Sequence, residues 1–379
     1  MTVDDAFALP APGVAPARVP AGYIVTETPF GLRVDGPDGG RLLYAAPSAA
    51  DPPPGFASTV PGTPAPSAAH GPADVTAERG PTRAAAERGS ARAAAEREKS
   101  QATAERGPAQ ATAERGPARA AAEREVDLAL VDVVESPETI GALRRAGVVG
   151  NTTAVVALGG DHRVHSPAEF ARRARLWGVL APSDGQELQC PPSTWPPPRI
   201  RGPYRVLLTG GARSGKSTEA ERRLLGEPEV SYLAAGPQPG GDAEWAKRVA
   251  VHQERRPWWW STIETGDVAA VLAEATGAVL FDCVGTWLTG VMADCGLWQD
   301  VPPPDAEEVA WSRVTELVAA WRNCPAYVVA VTNEVGAGVV PATASGRMFR
   351  DWLGRTNQLL AAESEEVALV TAGRVLQLP

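Results

Sequence analysis

The sequence predicts an α/β protein in which about residues 205–379 fold as a mainly parallel β-sheet with covering helices. Two observations carry this expectation. Short apolar runs at Val206–Leu208, Ala278–Phe281, Ala326–Thr332 and Val367–Thr371 alternate with helix-prone stretches, the order that builds a layered parallel sheet. The first run leads directly into a glycine-rich turn and then a helix-prone stretch, Ser217–Leu225. Strand, loop and helix in that order are the setting of a phosphate-binding loop.

The earlier part of the chain divides by composition. Residues 1–50 are a short β-rich segment: Tyr23–Thr26 and Leu32–Val34 are β-prone, and Asp38-Gly39-Gly40 turns into Arg41–Tyr44. Alone, such a patch buries no core. Residues 51–125 are a low-complexity linker in which Ala-Glu-Arg begins at Ala77, Ala86, Ala95, Ala104, Ala113 and Ala122. This nine-residue period places successive copies on opposite faces of a helix, so no apolar stripe forms. Gly80-Pro81, Gly107-Pro108 and Gly116-Pro117 interrupt any helix. Disorder is the expectation, a partner-binding or spacer arm the other reading. Residues 126–190 read as a βαβα fragment, with strands at Val126–Val134 and Thr153–Leu158 and helices opened by Ser136-Pro137 and Ser166-Pro167. Asp161, His162 and His165 follow the second strand, but the other histidines, His70 and His252, lie far off in sequence. A zinc site needs three or four ligands, so none is expected here. Residues 191–204 form a proline-rich linker.

Composition narrows the function. The 36 prolines concentrate in the first 200 residues, so the linker character belongs to that half. The net charge of −9 argues against a nucleic-acid partner. Cys190, Cys283, Cys295 and Cys324 form no CxxC pair and read as reduced thiols. Asp4 and Asp5 stand where a secretory signal would be basic, and no stretch is long and apolar enough to span a membrane. A cytoplasmic protein is expected.

The loop itself is Gly210-Gly211-Ala212-Arg213-Ser214-Gly215-Lys216-Ser217. Gly210 and Gly215 let the backbone curl so that successive amides face phosphate oxygens, and the helix N-terminus adds partial positive charge. This is the P-loop NTPase pattern, in a RecA-like arrangement, with ATP or GTP as ligand. Lys216 reaches the β and γ phosphates and the Ser217 hydroxyl ligates Mg²⁺. Asp282 ends a buried strand, where a Walker B carboxylate meets Mg²⁺; the plainer alternative is a helix-capping Asp. The stretch Asp242–Val251 reads as a helix leading to His252, with Arg255 and Arg256 just beyond. A near-neutral imidazole can attack phosphorus, although a polar surface histidine has the same local sequence. Asn333 and Glu334 close another strand, either acting on substrate or metal or stabilising a turn before Gly336.

Residues Arg205 to Leu378 resemble the bifunctional adenosylcobinamide kinase / adenosylcobinamide-phosphate guanylyltransferases. The phrases that carry the likeness are the loop, Tyr232-Leu233-Ala234-Ala235, His252 with Arg256-Pro257, Asp282-Cys283 and Thr286-Trp287-Leu288-Thr289. Further on come Asn333-Glu334-Val335-Gly336-Ala337-Gly338-Val339-Val340-Pro341 and Gly354-Arg355-Thr356-Asn357-Gln358. The resemblance implies two reactions. The aminopropanol hydroxyl of adenosylcobinamide takes a γ-phosphate from ATP or GTP. A histidine, His252 by position, then accepts GMP from GTP and passes it to the new phosphate, giving adenosylcobinamide-GDP. It also implies nucleotide contacts at Gly210 to Ser217, Ala234, Ala235, Gly236, Gln253, Glu254, Arg255, Arg256, Glu264 and Asp282, and a homo-oligomer, a trimer. Other readings of the same residues are a P-loop small-molecule kinase without guanylyl transfer and a nucleotide-dependent binding module.

Gly285, Gly290, Trp245 and Arg255 depart from that family's usual residues, and Trp258-Trp259 is expected to pack on the corrin or a neighbouring subunit. Residues 20–50 and 126–190 resemble the back half of a metallo-β-lactamase-like domain, on Gly36–Tyr44 and Leu143–Val149. Its HxHxDH front half has no counterpart here, so a non-catalytic remnant is expected.

Overall fold

The computed structural model describes residue 19 and residues 21–51, 125–193, 198–236 and 255–379, all in one compact unit that contains two sheets. The first sheet is five-stranded and runs in sequence order: β1 (Ile24–Thr28), β2 (Gly31–Asp35), β3 (Arg41–Ala45), β4 (Leu128–Asp132) and β5 (Ala154–Leu158). β1 to β3 form an antiparallel meander, whereas β3, β4 and β5 are parallel. The β-rich segment thus gains the partner strand it needs from across the repeat region. The Asp127 carboxylate accepts from the Arg41 amide at 2.7 Å and pins that junction. Helices α1 (Thr139–Arg145) and α2 (Pro167–Leu176) cover one face, packing Ile140, Leu143, Ala174 and Leu176 against Leu43, Val131 and Val155. α2 starts where expected: the Ser166 hydroxyl accepts from the Glu169 amide at 3.1 Å, and Pro167 opens the helix.

The second sheet is seven-stranded, in the order β12-β11-β6-β10-β9-β7-β8. Its strands are β6 (Tyr204–Thr209), β7 (Val230–Ala234), β8 (Ser261–Glu264), β9 (Ala278–Asp282), β10 (Tyr327–Val331), β11 (Glu366–Thr371) and β12 (Arg374–Leu378). Every pairing is parallel except the β11–β12 hairpin. The apolar runs of β9 and β10 have no polar alternation because helices cover both faces.

On one face, Leu207, Leu233, Phe281 and Val328 meet helices α4 (Val268–Ala273), α5 (Val284–Asp294), α6 (Ala306–Asn323) and α7 (Ala344–Ala362), with Leu288, Leu317, Trp321 and Leu360 as the main contacts. On the other face, Val206, Leu208, Leu280 and Val329 meet Ala220 and Leu224 of helix α3 (Lys216–Leu224). Ala142 of α1 and the ring of Trp259 join this second cluster, so a helix of the first sheet helps complete the core of the second. No helix among the described residues is long and apolar enough to cross a membrane.

Candidate active site

Parallel strands send their carboxyl ends to one edge, where α/β proteins place ligands. Six strands of the second sheet, β6 to β11, do so here. β6 ends at the loop Gly210–Ser217, β7 at Ala234 to Gly236, β8 at Glu264, β9 at Asp282 and β10 at Asn333-Glu334.

The loop takes the conformation that its glycines allow. Gly215 has φ +97° just before α3, and Arg213 has φ +58°. Gly210 lies against β11: a Cβ there would meet Val370 O and stand 2.7 Å from Ser214 Oγ. The turn of the β11–β12 hairpin supports the loop directly, since the Gly373 amide donates to Ser214 O at 2.8 Å. Gly211, Ala212 and Arg213 are exposed, so the mouth of the loop is open to a ligand. The Ser214 and Thr209 hydroxyls are buried and have no hydrogen-bond partner among the described residues. Lys216 is 8% exposed, and its ammonium donates to Gly211 O at 3.0 Å, folding the side chain back along the loop. Burial lowers its pKa, while Cys283 and Asp282 at the β9 end act in the opposite direction.

Asp282 is held by a residue to which the sequence reading gave no role. The Tyr232 hydroxyl, projecting from β7, donates to Asp282 Oδ2 at 3.1 Å. The Arg256 guanidinium lies over the Tyr232 ring, 3.2 Å from its centroid, and donates to Thr262 Oγ1 at 3.3 Å. Burial pushes the Tyr232 hydroxyl well above the usual phenol range, and neighbouring Asp282 adds to it, so the hydroxyl stays a donor. Burial also lowers the Arg256 pKa, with Tyr232, Glu221 and Asp282 opposing. Lys216, Asp282, Tyr232 and Arg256 therefore converge on one edge. The available signal for Tyr232 was its place in the family phrase Tyr232-Leu233-Ala234-Ala235.

The other expected contacts are distributed as follows. Ala234, Ala235 and Gly236 follow β7, and Glu264, exposed, stands opposite Ala234 in the β7–β8 register. Arg255 pairs with Glu221 of α3 at 3.1 Å. His252, Gln253 and Glu254 lie outside the described residues, as do Asp242–Val251. Glu334 serves its turn, accepting from the Gly336 amide at 3.0 Å, while its own amide donates to Gly210 O at 3.1 Å. Asn357 ties down the same strand end through Thr332 Oγ1 and Asn333 O. Trp259 is buried and Trp258 half-buried. The Trp258 indole donates to Ala50 O at 3.1 Å, and the buried Trp259 indole donates to Glu227 O at 3.3 Å. The buried Trp259 is thus enclosed by this chain rather than presented to a corrin or a neighbouring subunit, while both indole N–H groups find acceptors within the chain. Asp161 is engaged with Arg163.

Comparison with known proteins decides what this edge belongs to. Residues 206–378 match the family described as cobinamide kinase / cobinamide phosphate guanyltransferase. The bifunctional adenosylcobalamin biosynthesis protein CobU of Escherichia coli is 41% identical over 175 residues, which are 44% of this chain and 96% of that protein. The chain belongs to this family. CobU of Salmonella typhimurium is 40% identical over 177 residues, and CobP of Pseudomonas aeruginosa 38% over 180, again with 96% of each covered. As a cobinamide kinase / cobinamide phosphate guanyltransferase, the chain is a bifunctional transferase, and the matched residues take in the second sheet with its helices. The first sheet and the repeats precede the matched residues.

Proposed function

We propose that the edge built by the ends of β6 to β10 phosphorylates adenosylcobinamide with ATP or GTP and then guanylylates the product through His252. What carries this reading is the convergence of an open P-loop, a buried lysine and the Tyr232-held Asp282 at one sheet edge, in a chain of this family.

In the first step the loop amides, the α3 N-terminus and Lys216 hold the triphosphate, and the ammonium turns from Gly211 O to a phosphate oxygen. The substrate hydroxyl forms a new P–O bond to the γ-phosphorus as the bond to the β-γ bridging oxygen breaks; the hydroxyl proton passes to water and the nucleoside diphosphate leaves. In the second step an imidazole nitrogen of His252 forms a P–N bond to the α-phosphorus of GTP and pyrophosphate leaves. A phosphate oxygen of adenosylcobinamide phosphate then takes the GMP, the P–N bond breaks, and adenosylcobinamide-GDP is released. Arg256 and Lys216 offset charge in both transfers.

The residues fit Mg²⁺. The Ser217 hydroxyl and Asp282 carboxylate are hard oxygen donors, and no group of three or more His, Cys, Asp or Glu among the described residues offers a dedicated metal cage. Few protein ligands plus substrate phosphates are what Mg²⁺ usually takes. When bound, it would neutralise charge on the phosphates being transferred. The wider contact set, Gly210 to Ser217, Ala234 to Gly236, Gln253 to Arg256 and Glu264, belongs to the same proposal.

The test is covalent labelling. Wild-type protein incubated with α-labelled GTP and Mg²⁺ should retain one GMP, located on His252 by mass spectrometry, and His252→Ala should retain none while still phosphorylating cobinamide. Unlabelled wild type that still makes cobinamide phosphate would reduce the chain to a kinase.

A further inference from the structure

The P-loop helix is gripped from outside the family-matched residues. α2 lies in residues 167–176, before the match begins at 206. From it, Arg172 reaches Glu219 in the first turn of α3: Nη1 to Oε1 is 2.8 Å and Nη2 to Oε2 is 3.3 Å. Glu169 orients that guanidinium through bonds of 2.7 and 3.0 Å. Glu219 is only 2% exposed and also meets Arg222 at 2.6 Å and Arg223 at 3.4 Å. Arg223 continues to Glu366 of β11 at 2.6 Å. The Glu219 amide donates to Gly215 O at 2.9 Å, so this residue is tied to the loop itself.

The contact is broad. Arg144 donates to Gly226 O at 2.7 Å, just beyond the C-terminal end of α3, and the Trp177 indole donates to Arg222 O at 2.7 Å. A Cβ on Gly141 would stand 2.5 Å from Leu225 O, so α1 packs there with no side chain between. Glu219 poses a problem for the loop it follows. A carboxylate one turn into the helix lies close to where phosphates would sit and repels them unless it is neutralised. Arg172, from the first sheet's side, does this together with Arg222 and Arg223, in a buried setting where a charged pair depends on complete hydrogen bonding.

We propose that the layer of residues 21–51 and 125–193 is the permanent intramolecular partner of the P-loop helix, and that Arg172 is a positioning residue for nucleotide binding. It acts through Glu219, fixing the first turn of α3 and helping to cancel the carboxylate's field at the loop. The inference rests on the reading of Gly210–Ser217 as the nucleotide cradle.

The experiment uses the full-length chain. Affinity for ATP and GTP is measured by calorimetry, with KM, kcat and Tm, for wild type, Arg172→Met, Arg172→Lys and Lys216→Ala. Arg172→Met keeps the aliphatic packing but leaves Glu219 to Arg222 and Arg223. It should raise Kd and KM for both nucleotides about 3- to 10-fold, as expected for loss of a charged hydrogen-bonded pair together with its share in offsetting the Glu219 charge. kcat should stay within about twofold, because Arg172 touches no reacting atom. Arg172→Lys, which keeps charge but cannot bridge both carboxylates, should fall between the two. A lower Tm with unchanged nucleotide Kd would make Arg172 merely structural and overturn the proposal, as would a loss confined to kcat. If Arg172→Met does not fold, Arg172→Lys decides: wild-type Kd overturns the proposal and a raised Kd supports it. If Lys216→Ala binds nucleotide as well as wild type does, the cradle reading fails and takes the inference with it. If Lys216→Ala loses binding while Arg172→Met keeps it, only the inference fails.

Discussion

Replacing Gly210 by alanine tests whether the loop is held by the C-terminal hairpin. The added Cβ would stand 2.7 Å from Ser214 Oγ and closer still to Val370 O. A carbon–oxygen contact normally sits at roughly 3.3 Å or more. The Ser214 hydroxyl can rotate away. Val370 O cannot, because it belongs to β11, which is paired on both sides by β6 and β12. The loop or the strand must therefore shift, and overpacking of this kind costs about 1–3 kcal/mol. At roughly 2–4 °C per kcal/mol for a domain of this size, the Tm of Gly210→Ala without nucleotide should fall by about 2–12 °C. Gly211 provides the contrast, since a Cβ there meets nothing within 4 Å. Gly211→Ala should keep the wild-type Tm, and any effect should appear only as weaker nucleotide binding. Thermal unfolding followed by circular dichroism reads the first effect, and calorimetric titration with ATP the second. Equal Tm values for Gly210→Ala and wild type would refute the claim that β11 buttresses the loop.

Two further outcomes follow from the site and from the clamp on α3. Tyr232→Phe removes the donor to Asp282 Oδ2 while leaving the ring beneath Arg256; kinase kcat/KM should drop about tenfold, the size of one lost hydrogen bond to a charged group, and the Mg²⁺ concentration for half-maximal activity should rise. Acid should weaken the layer contact: burial pushes Glu169 and Glu219 up, but Arg172, with Arg173 at Glu169 and Arg222 and Arg223 at Glu219, outweighs it and holds both carboxyls below the usual value of 4.5, Glu169 at about 2. Their folded pKa values are depressed, so their stabilisation is complete above pH 4.5 and fades as the pH falls towards 2; urea midpoints should decline across that window, and less steeply in Arg172→Met.

The sequence carried the nucleotide sheet in outline because its signals are local. The β6 run, the loop glycines and the α3 start lie within about twenty residues, and the structure places β6 at Tyr204–Thr209 and α3 at Lys216–Leu224. β7 and β8 did not stand out as strands: each is short, and Ser261, Thr262 and Glu264 are exposed, so no apolar run marks β8. What escaped most completely was long-range pairing. Nothing in Arg41–Ala45 says that its partner is Leu128–Asp132, because parallel neighbours need no turn between them. The Trp258-Trp259 pair looks like a ligand or subunit surface until Ala50 O and Glu227 O are placed beside it. Tyr232 was visible only as part of a family phrase; its role depends on Asp282 arriving two strands' worth of sequence later.

The hydrogen bond from the Gly373 amide to Ser214 O has a consequence for how the protein is made. Chains emerge from the ribosome in order, and domains fold as their segments become available. The glycine loop is translated early in its domain, but its buttress belongs to the hairpin at the far end of that same domain. A nascent chain therefore carries the phosphate-binding motif well before it has the support that shapes it. Nucleotide would stabilise the finished sheet by mass action while offering no scaffold to the growing one.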